Sequence, residues 1–503
     1  MTYYRPEWTC GRYNKEHHVA LMYNLIEGIS FFFEDESAYI VGLILSHPRN
    51  TQIDLQNIFQ HCDIENTIIL DFLEELYSVG LLSKLMPTIQ IVNSYRAKIT
   101  KKNIKNTAMN DRSSEFVSEA ESDYHNAIKE DSLCNAVIEL TYKCSAQCIH
   151  CYNPGATRNN AETNNRTIIN ELDLSDYKKL IDELYELGCY KVTLTGGDPF
   201  SKPIVWDIIQ YLYDKDIAFD IFTNGIDLEE NVQRLISYYP RTVSISLYSG
   251  IEKDHEIITR VKGSFKKTLS TIEQLSVNGI QLILKCCIMR PNIKSYYLVE
   301  DIAKKYLAVV QFEVALQDSV DGDHCVSTFL QLPKSMLEIV LRDKRLPLYV
   351  GVEKENYGAV KRDVHDKTCH AGETALCITP NGNVQFCVAF PFVLGNIKEI
   401  TLRSVLTENI YLKKWKETTL SNFESCGKEE YCQYCIICAG CNFVATGSPL
   451  KACKNNCYIA KCRYDVAEKL KKGNDPLNNK SLIDCLSECD NSIPPLKRVI
   501  LKG

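Results

Sequence analysis

The middle of the chain predicts an α/β fold built on a parallel sheet. Between 134 and about 318, strand-like runs at 136–142, 190–195, 217–223, 241–247, 281–288 and 310–316 alternate with helical patterns at 173–188, 203–214, 227–238, 264–278 and 294–306. Parallel neighbours need a crossover between them, so six such repeats make either a doubly wound sheet or a partial barrel. Three unusual loops also fall at consecutive strand ends: Cys144 to Cys151, Thr195-Gly-Gly-Asp-Pro199 and Thr223-Asn-Gly225. Ligands in such folds bind at the carboxyl ends of strands, so this rim is the expected site.

Residues 1–96 read as a separate small unit. Val19 to Ile26 and Gly28 to Glu34 look like two strands, and helical patterns follow near 36–47, 53–61 and 64–79. That order suggests a winged-helix-like module. DNA binding would require a basic footprint. Residues 1–95 instead hold five Lys/Arg against twelve Asp/Glu, and the rest of the chain is balanced, so no nucleic-acid partner is indicated. Residues 97–132 are polar and unpatterned and read as a mobile linker. Beyond the strand–helix repeats (133–320), 321–365 is a bridging segment, 366–470 is cysteine-rich, and 471–503 is a tail.

The chain has 503 residues, 45% hydrophobic and 24% charged, ordinary for a soluble globular protein. The N-terminus lacks an apolar signal core, and the longest apolar runs, such as Tyr39 to Leu45, are too short for a membrane. A cytoplasmic location follows, with no membrane partner. In that compartment 23 cysteines, thirteen of them between Cys369 and Cys489, point to metal or catalytic sites rather than disulfides.

Cys144, Cys148 and Cys151 lie within eight positions. A four-iron cluster takes four thiolates, so three leave one iron open to an exchangeable ligand. A zinc knuckle would need a fourth thiol close by, and Cys134 lies at the other end of the preceding strand. A C-x-x-C redox pair, met by Cys148 and Cys151, would leave Cys144 unexplained.

This Cys-x3-Cys-x2-Cys loop resembles the signature of the radical S-adenosylmethionine (radical SAM) superfamily, and residues 134–318 resemble its (β/α)6 partial TIM barrel. The resemblance implies that Cys144, Cys148 and Cys151 hold a 4Fe-4S cluster whose open iron chelates S-adenosyl-L-methionine. One electron then splits that molecule into methionine and a hydrogen-abstracting 5′-deoxyadenosyl radical. It further implies that His150 flanks cluster and adenine. Gly196, Gly197 and Asp198 stand for the family's Gly-Gly-Glu loop, with a shorter carboxylate, and glycines there let a ligand approach the main chain. Ser244 and Ser246 are alternative ribose contacts on one strand face, and Arg260 resembles an arginine that meets the cofactor carboxylate. Thr223-Asn-Gly225 reads equally as a tight turn.

The second cysteine field resembles the SPASM domain, a twin-cluster extension of some radical SAM enzymes. Cys369-x12-Gly382-x4-Cys387 matches its opening, and Asn381-Gly382 is a strong hairpin signal. Cys432-x2-Cys435-x5-Cys441 follows the family spacing, but position 445 is Ala, so a compressed Cys432, Cys435, Cys438, Cys441 run is the alternative. The resemblance implies one auxiliary cluster on Cys369, Cys377, Cys387 and Cys441. A second would sit on Cys432, Cys435, Cys438 and one of Cys453, Cys457 or Cys462. Alone, the 432–441 block suits zinc equally; beside the three-thiol loop it favours iron. Cys426, Cys485 and Cys489 are left without a role.

The N-terminal unit resembles the recognition element of enzymes that modify ribosomally made peptides (RiPPs), in which a leader peptide adds a strand to a sheet edge. The whole therefore resembles a radical SAM/SPASM peptide maturase. Such an enzyme needs three 4Fe-4S clusters, S-adenosylmethionine, a precursor peptide and a reducing partner such as flavodoxin or ferredoxin, and it installs a thioether or carbon–carbon cross-link. Rival expectations are a sulfatase-maturing or haem-biosynthetic relative and, in another class, a zinc-stabilised interaction protein without catalysis.

Overall fold

The computed structural model describes residues 2–96, 118–128, 132–153, 170–373 and 375–493. Near the N-terminus, β1 (Tyr4–Arg5) pairs with β5 (Thr51–Gln52), while β2 (Thr9–Asn14), β3 (Val19–Asn24) and β4 (Ile29–Glu34) form an antiparallel sheet in that order. The sequence pattern announced β3 and β4. It missed β2, whose Thr-Cys-Gly-Arg-Tyr-Asn lacks hydrophobic alternation because a glycine holds one buried position; a Cβ on Gly11 would stand 2.4 Å from the Leu21 carbonyl oxygen. Helices Asp35–Leu45, Leu55–His61 and Asn66–Ser78 follow as expected, then one at 89–96.

The central sheet comprises β6 (Asn135–Thr141), β7 (Lys191–Gly196), β8 (Ala218–Thr223), β9 (Thr242–Ser246), β10 (Leu282–Cys287) and β11 (Val309–Glu313), all parallel and neighbouring in chain order. A doubly wound core would reverse its strand order part-way; β6 to β11 run in one direction without a reversal. Alternate residues such as Ile138, Leu140, Val192, Leu194, Ile221, Val243, Ile245 and Leu284 pack in one core with the crossover helices. Glu139, Thr195, Ser244, Ser246, Lys285 and Cys287 therefore lie on the other, polar face. Helix Leu174–Glu186 shows how these elements are specified: Asp173 and Asp176 form a capping box, and Tyr177, Leu180, Ile181 and Leu184 make one buried stripe. Within the strand–helix repeats one helix was not anticipated. Glu252–Thr259 is a polar octet with few apolar positions.

Two expectations are corrected. The cysteine-rich hairpin does not stand apart from the strand–helix repeats: β12 (Ala375–Ile378) pairs in parallel with β6, and β13 (Asn383–Cys387) and β14 (Phe390–Asn396) extend the same sheet to nine strands. The turn at Asn381-Gly382 forms, with Gly382 at φ +87°. Nor is the 97–132 stretch all unpatterned linker. Its described part holds helix Glu119–Ala127, opened by a Ser118–Glu121 capping box, with Tyr124 and Ile128 fully buried. So short and polar a helix carries little periodic signal.

That helix helps dock the N-terminal module against the starts of the parallel strands. Trp8, Leu21, Tyr23, Tyr124, Tyr190, Ala218 and Tyr239 share one core. Glu121, fully buried, accepts from Tyr23 at 2.5 Å and Lys191 at 3.4 Å, while Arg241 pairs with Asp220 at 2.5 Å. Arg5 and Arg49 both reach Asp216, at 2.5 and 2.8 Å. The module thus sits at the opposite strand ends from Cys144, a strand length of about 20 Å away. Among the described residues, no helix is long and apolar enough to cross a membrane.

Candidate active site and metal centres

The end of β6 leads directly into the three-thiol loop, which is locked in place from two sides. From one side, the Gly197 and Asp198 amides donate to the Thr141 and Lys143 carbonyls at 2.6 and 3.0 Å. A Cβ on Gly196 would stand 2.2 Å from the Thr141 oxygen, and one on Gly197 2.2 Å from the Lys143 oxygen. What approaches these glycines closely is therefore the cysteine loop's own backbone. From the other side, the Gln147 and Ile149 amides donate to the Thr259 and Ile258 carbonyls at 2.9 and 3.0 Å.

Asp198 is fully buried, and its carboxylate accepts from the Phe200 amide at 3.0 Å, the Thr223 hydroxyl at 2.7 Å and the Asn224 amide at 2.9 Å. It clamps the end of β8 to the end of β7. Burial still pushes its carboxyl up to about 6. The clamp aims Asn224, whose side-chain amide donates to the Cys144 sulfur at 3.3 Å; the Ala146 amide donates to the same sulfur at 3.4 Å. The Thr-Asn-Gly segment is thus a turn and a contact to the loop at once.

His150 meets the Tyr248 ring edge-on at 4.7 Å, and the Tyr248 hydroxyl lies 3.9 Å from the Cys148 sulfur. Tyr248 also stacks on His255, which burial lowers to about 4 and so keeps neutral. Ser244 and Ser246 share the polar face, but they differ. Ser246 bonds the Tyr248 hydroxyl, whereas the Ser244 hydroxyl is buried without a partner among the described residues. Arg260 follows the two residues whose carbonyls hold the cysteine loop. It closes helix Glu252–Thr259 in the left-handed region, φ +58°, and is exposed at the rim. Sequence reading placed Thr223-Asn-Gly225 on this rim without giving Asn224 its contact to Cys144, and it missed Tyr248, whose signal was an aromatic residue just past the end of β9.

The second field separates into two groups. Cys369, Cys387, Cys438 and Cys441 act on one another, with buried Cys377 reaching them through Cys387. Cys426, Cys432, Cys435 and Cys457 form the other group, with Cys453 acting on both. This differs from the expected crossing in two places: Cys438 stands with Cys441 on one turn, and Cys426 joins Cys432 and Cys435. The missed signal for Cys426 was its spacing, Cys-x5-Cys-x2-Cys. Cys462 instead bonds Tyr458, away from both groups. Burial raises most of these thiols, Cys387 and Cys435 to about 12 and Cys457 to about 11. Cys438 is pulled down because the Cys441 thiol donates to it. Backbone amides aim at sulfur here too, Ala371 at Cys369 and Cys441 at Cys438, both 3.4 Å. Among the described residues, no three Cys, His, Asp or Glu side chains converge as a single-ion site requires.

Comparison with known proteins agrees with this geometry. Residues 138–294 match the radical SAM superfamily model, and residues 369–442 match the SPASM model of an iron–sulfur cluster-binding domain. The chain thus carries a radical SAM domain and a SPASM domain, and it is an enzyme. Its cofactors are accordingly 4Fe-4S clusters and S-adenosylmethionine. Over 338 residues the enzyme is 27% identical to the antilisterial bacteriocin subtilosin biosynthesis protein AlbA of Bacillus subtilis (strain 168), covering 65% of this chain and 71% of AlbA. It is 25% identical to the AdoMet-dependent heme synthase of Methanosarcina barkeri over 62% of this chain and 93% of that protein. In fold it resembles Streptococcus suis SuiB, solved bound to its precursor peptide SuiA, with TM-score 0.50 and 15% identity over 90% of this chain and 99% of that one.

The residues present fit these cofactors on three counts. Amide donors aimed at sulfurs favour thiolates over thiols. The buried Ser244 hydroxyl lacks a partner on the face that would receive the cosubstrate. Arg463, 5% exposed, has a buried Nε without one beside Cys435.

Proposed function

We propose that this enzyme is a peptide maturase that installs a cross-link, a thioether in preference to a carbon–carbon bond, in a ribosomally made precursor. One observation carries the reading. The module at 1–96, RiPP-recognition-like and winged-helix-like in its element order, has β4 at a sheet edge, with Phe33 edge-on to Phe72 of helix Asn66–Ser78 at 5.9 Å and Ile29 and Ile68 40% and 55% exposed. Such an edge accepts an added strand. The haem synthase supports this by contrast, since 62% of the present chain accounts for 93% of that protein and leaves a large remainder here.

In this reading the domains are the recognition module at 1–96, the (β/α)6 partial barrel at 133–320 and the SPASM domain at 366–470. Cys144, Cys148 and Cys151 hold the first cluster, and the Asn224 and Ala146 donors stabilise the Cys144 thiolate. The bound cosubstrate supplies, on one-electron reduction, the species that removes a substrate hydrogen atom. His150 and Tyr248 wall its adenine, Ser244 rather than Ser246 takes a ribose hydroxyl, the Gly196–Gly197–Asp198 backbone faces its amino group, and Arg260 meets its carboxylate at the rim. Cys369, Cys387, Cys438 and Cys441 hold one auxiliary cluster, with Cys377 in reserve. Cys426, Cys432, Cys435 and Cys457 hold the other, with Cys453 between them. A flavodoxin or ferredoxin serves as reductant in the cytoplasm.

The docked module sets a geometric rule for the precursor. A leader held at the far strand ends must send its modified residue about 20 Å to the rim. That takes at least about six extended residues between recognition segment and first modified residue. Co-expression with a short open reading frame from the same locus, followed by mass spectrometry, tests the proposal. Loss of two hydrogens per link is expected, and Ile68→Asp should weaken precursor binding without lowering thermal stability. An unmodified peptide, or turnover of a porphyrin precursor without any peptide, would favour the haem-type reading that the second relative suggests.

A further inference from the structure

Two guanidinium groups close on the Cys432–Cys435 turn. Arg362 donates from Nη1 to the Cys432 carbonyl at 3.2 Å and from Nη2 to the Cys435 carbonyl at 2.6 Å. Arg463, on helix Lys454–Lys471, donates from Nη1 to the Tyr434 carbonyl at 3.2 Å, inside the same turn. Arg463 is 5% exposed, and its Nε is buried without a hydrogen-bond partner among the described residues. The carboxylate acting on it is Glu313, at electrostatic rather than contact range. A buried guanidinium without a contacting anion is costly, so its retention calls for a counter-charge close by. Arg463 acts on Cys435, and Arg362 acts on Cys435 and Cys426. Both cations therefore bear on the thiol group assigned above to the second auxiliary cluster. A four-iron cluster with four thiolates carries net negative charge, and more once reduced, so nearby cations favour the reduced form.

We propose that Arg362 and Arg463 are the counter-charges of the second auxiliary cluster and raise its reduction potential, making it the electron acceptor of the cross-linking step. This rests on the assignment of Cys426, Cys432, Cys435 and Cys457 to that cluster. The balance is simple. When a substrate carbon radical bonds to a peptide thiol, the thiol proton leaves to a base or water. One electron must also leave, and the oxidised cluster takes it and becomes reduced by one.

The test is a redox titration of the reconstituted full-length enzyme, followed by electron paramagnetic resonance and iron analysis. Arg463→Met and Arg362→Met should each move one cluster's midpoint negative by at least about tenfold in equilibrium constant, about 59 mV for a one-electron couple. Arg463→Lys, which keeps the charge, should move it less. Unchanged midpoints in both Met variants at full iron content overturn the proposal. If a Met variant instead loses about four irons, recovery of that iron in the Lys variant supports the counter-charge role, and no recovery overturns it. Failure of the underlying assignment reads differently: Cys432→Ala with Cys435→Ala would then leave the iron content unchanged.

Discussion

Replacing Gly197 with alanine tests why glycine stands at the end of β7. Its φ lies outside the left-handed region, so space alone is at issue. A Cβ would stand 2.2 Å from the Lys143 oxygen and 2.6 Å from the Tyr142 oxygen, both main-chain atoms at the entrance to the three-thiol loop. Ordinary contact begins near 3.4 Å, so strand and loop must separate by about 1.2 Å. Overpacking of this kind costs about 1–3 kcal/mol. At about 2–4 °C per kcal/mol for a domain of this size, the apo-protein should melt about 2–12 °C lower. Displacing the cluster loop by about 1 Å should also cut 5′-deoxyadenosine formation under dithionite about 100-fold. Gly447→Ala is the comparison, because nothing lies within 4 Å of its Cβ; its φ of +76° also costs about 1–2 kcal/mol, yet 5′-deoxyadenosine formation should stay at the wild-type level. If Gly197→Ala melted like wild type without iron or cosubstrate, the close-packing argument would be wrong, and the glycine would serve ligand approach alone.

Three further outcomes follow from other parts of the molecule. Glu121→Ala leaves Lys191 buried without its carboxylate, should cost about 3–5 kcal/mol, and should make the N-terminal module separable by limited proteolysis; an unchanged digestion pattern would refute rigid docking. Burial raises Glu139 from 4.5 to about 7, opposed by the Tyr142 hydroxyl, so the native state binds the extra proton. Apo-protein stability should therefore fall as pH rises from about 4.5 to 7 and level off above, and Glu139→Gln should remove about 3 kcal/mol of that slope; an identical pH profile would refute it. Cys426→Ala should lower reconstituted iron by about four atoms while Cys462→Ala leaves it intact, and the reverse result would overturn the grouping of thiols.

Much of the central sheet was legible because its crossover helices pack on one face only. Strands such as Ala136-Val-Ile-Glu-Leu and helices such as Leu174–Glu186 keep one period long enough to read. The loops were legible for another reason: three cysteines in eight positions, and two glycines before an aspartate, fall where strands end. What the sequence hid was long-range. The role of Asp198 depends on Thr223 and Asn224, which nothing in its local spacing announces. The parallel pairing of β12 with β6 joins residues more than two hundred positions apart, and a hairpin signal says nothing about its neighbour. Helix Glu119–Ala127 lay within a charged stretch because its few buried residues face a docking surface built from other segments. Cys426 was passed over because it stands six positions ahead of Cys432, outside the C-x2-C pairs that announce a ligand block.

In the function proposed here, Cys144, Cys148 and Cys151 leave one iron open for S-adenosylmethionine. The most direct test replaces each cysteine in turn with alanine and measures 5′-deoxyadenosine formed under dithionite, alongside iron content. Loss of about four irons and abolished cleavage are expected in all three variants, with the SPASM iron retained. Cleavage at the wild-type rate in any one of them would contradict it.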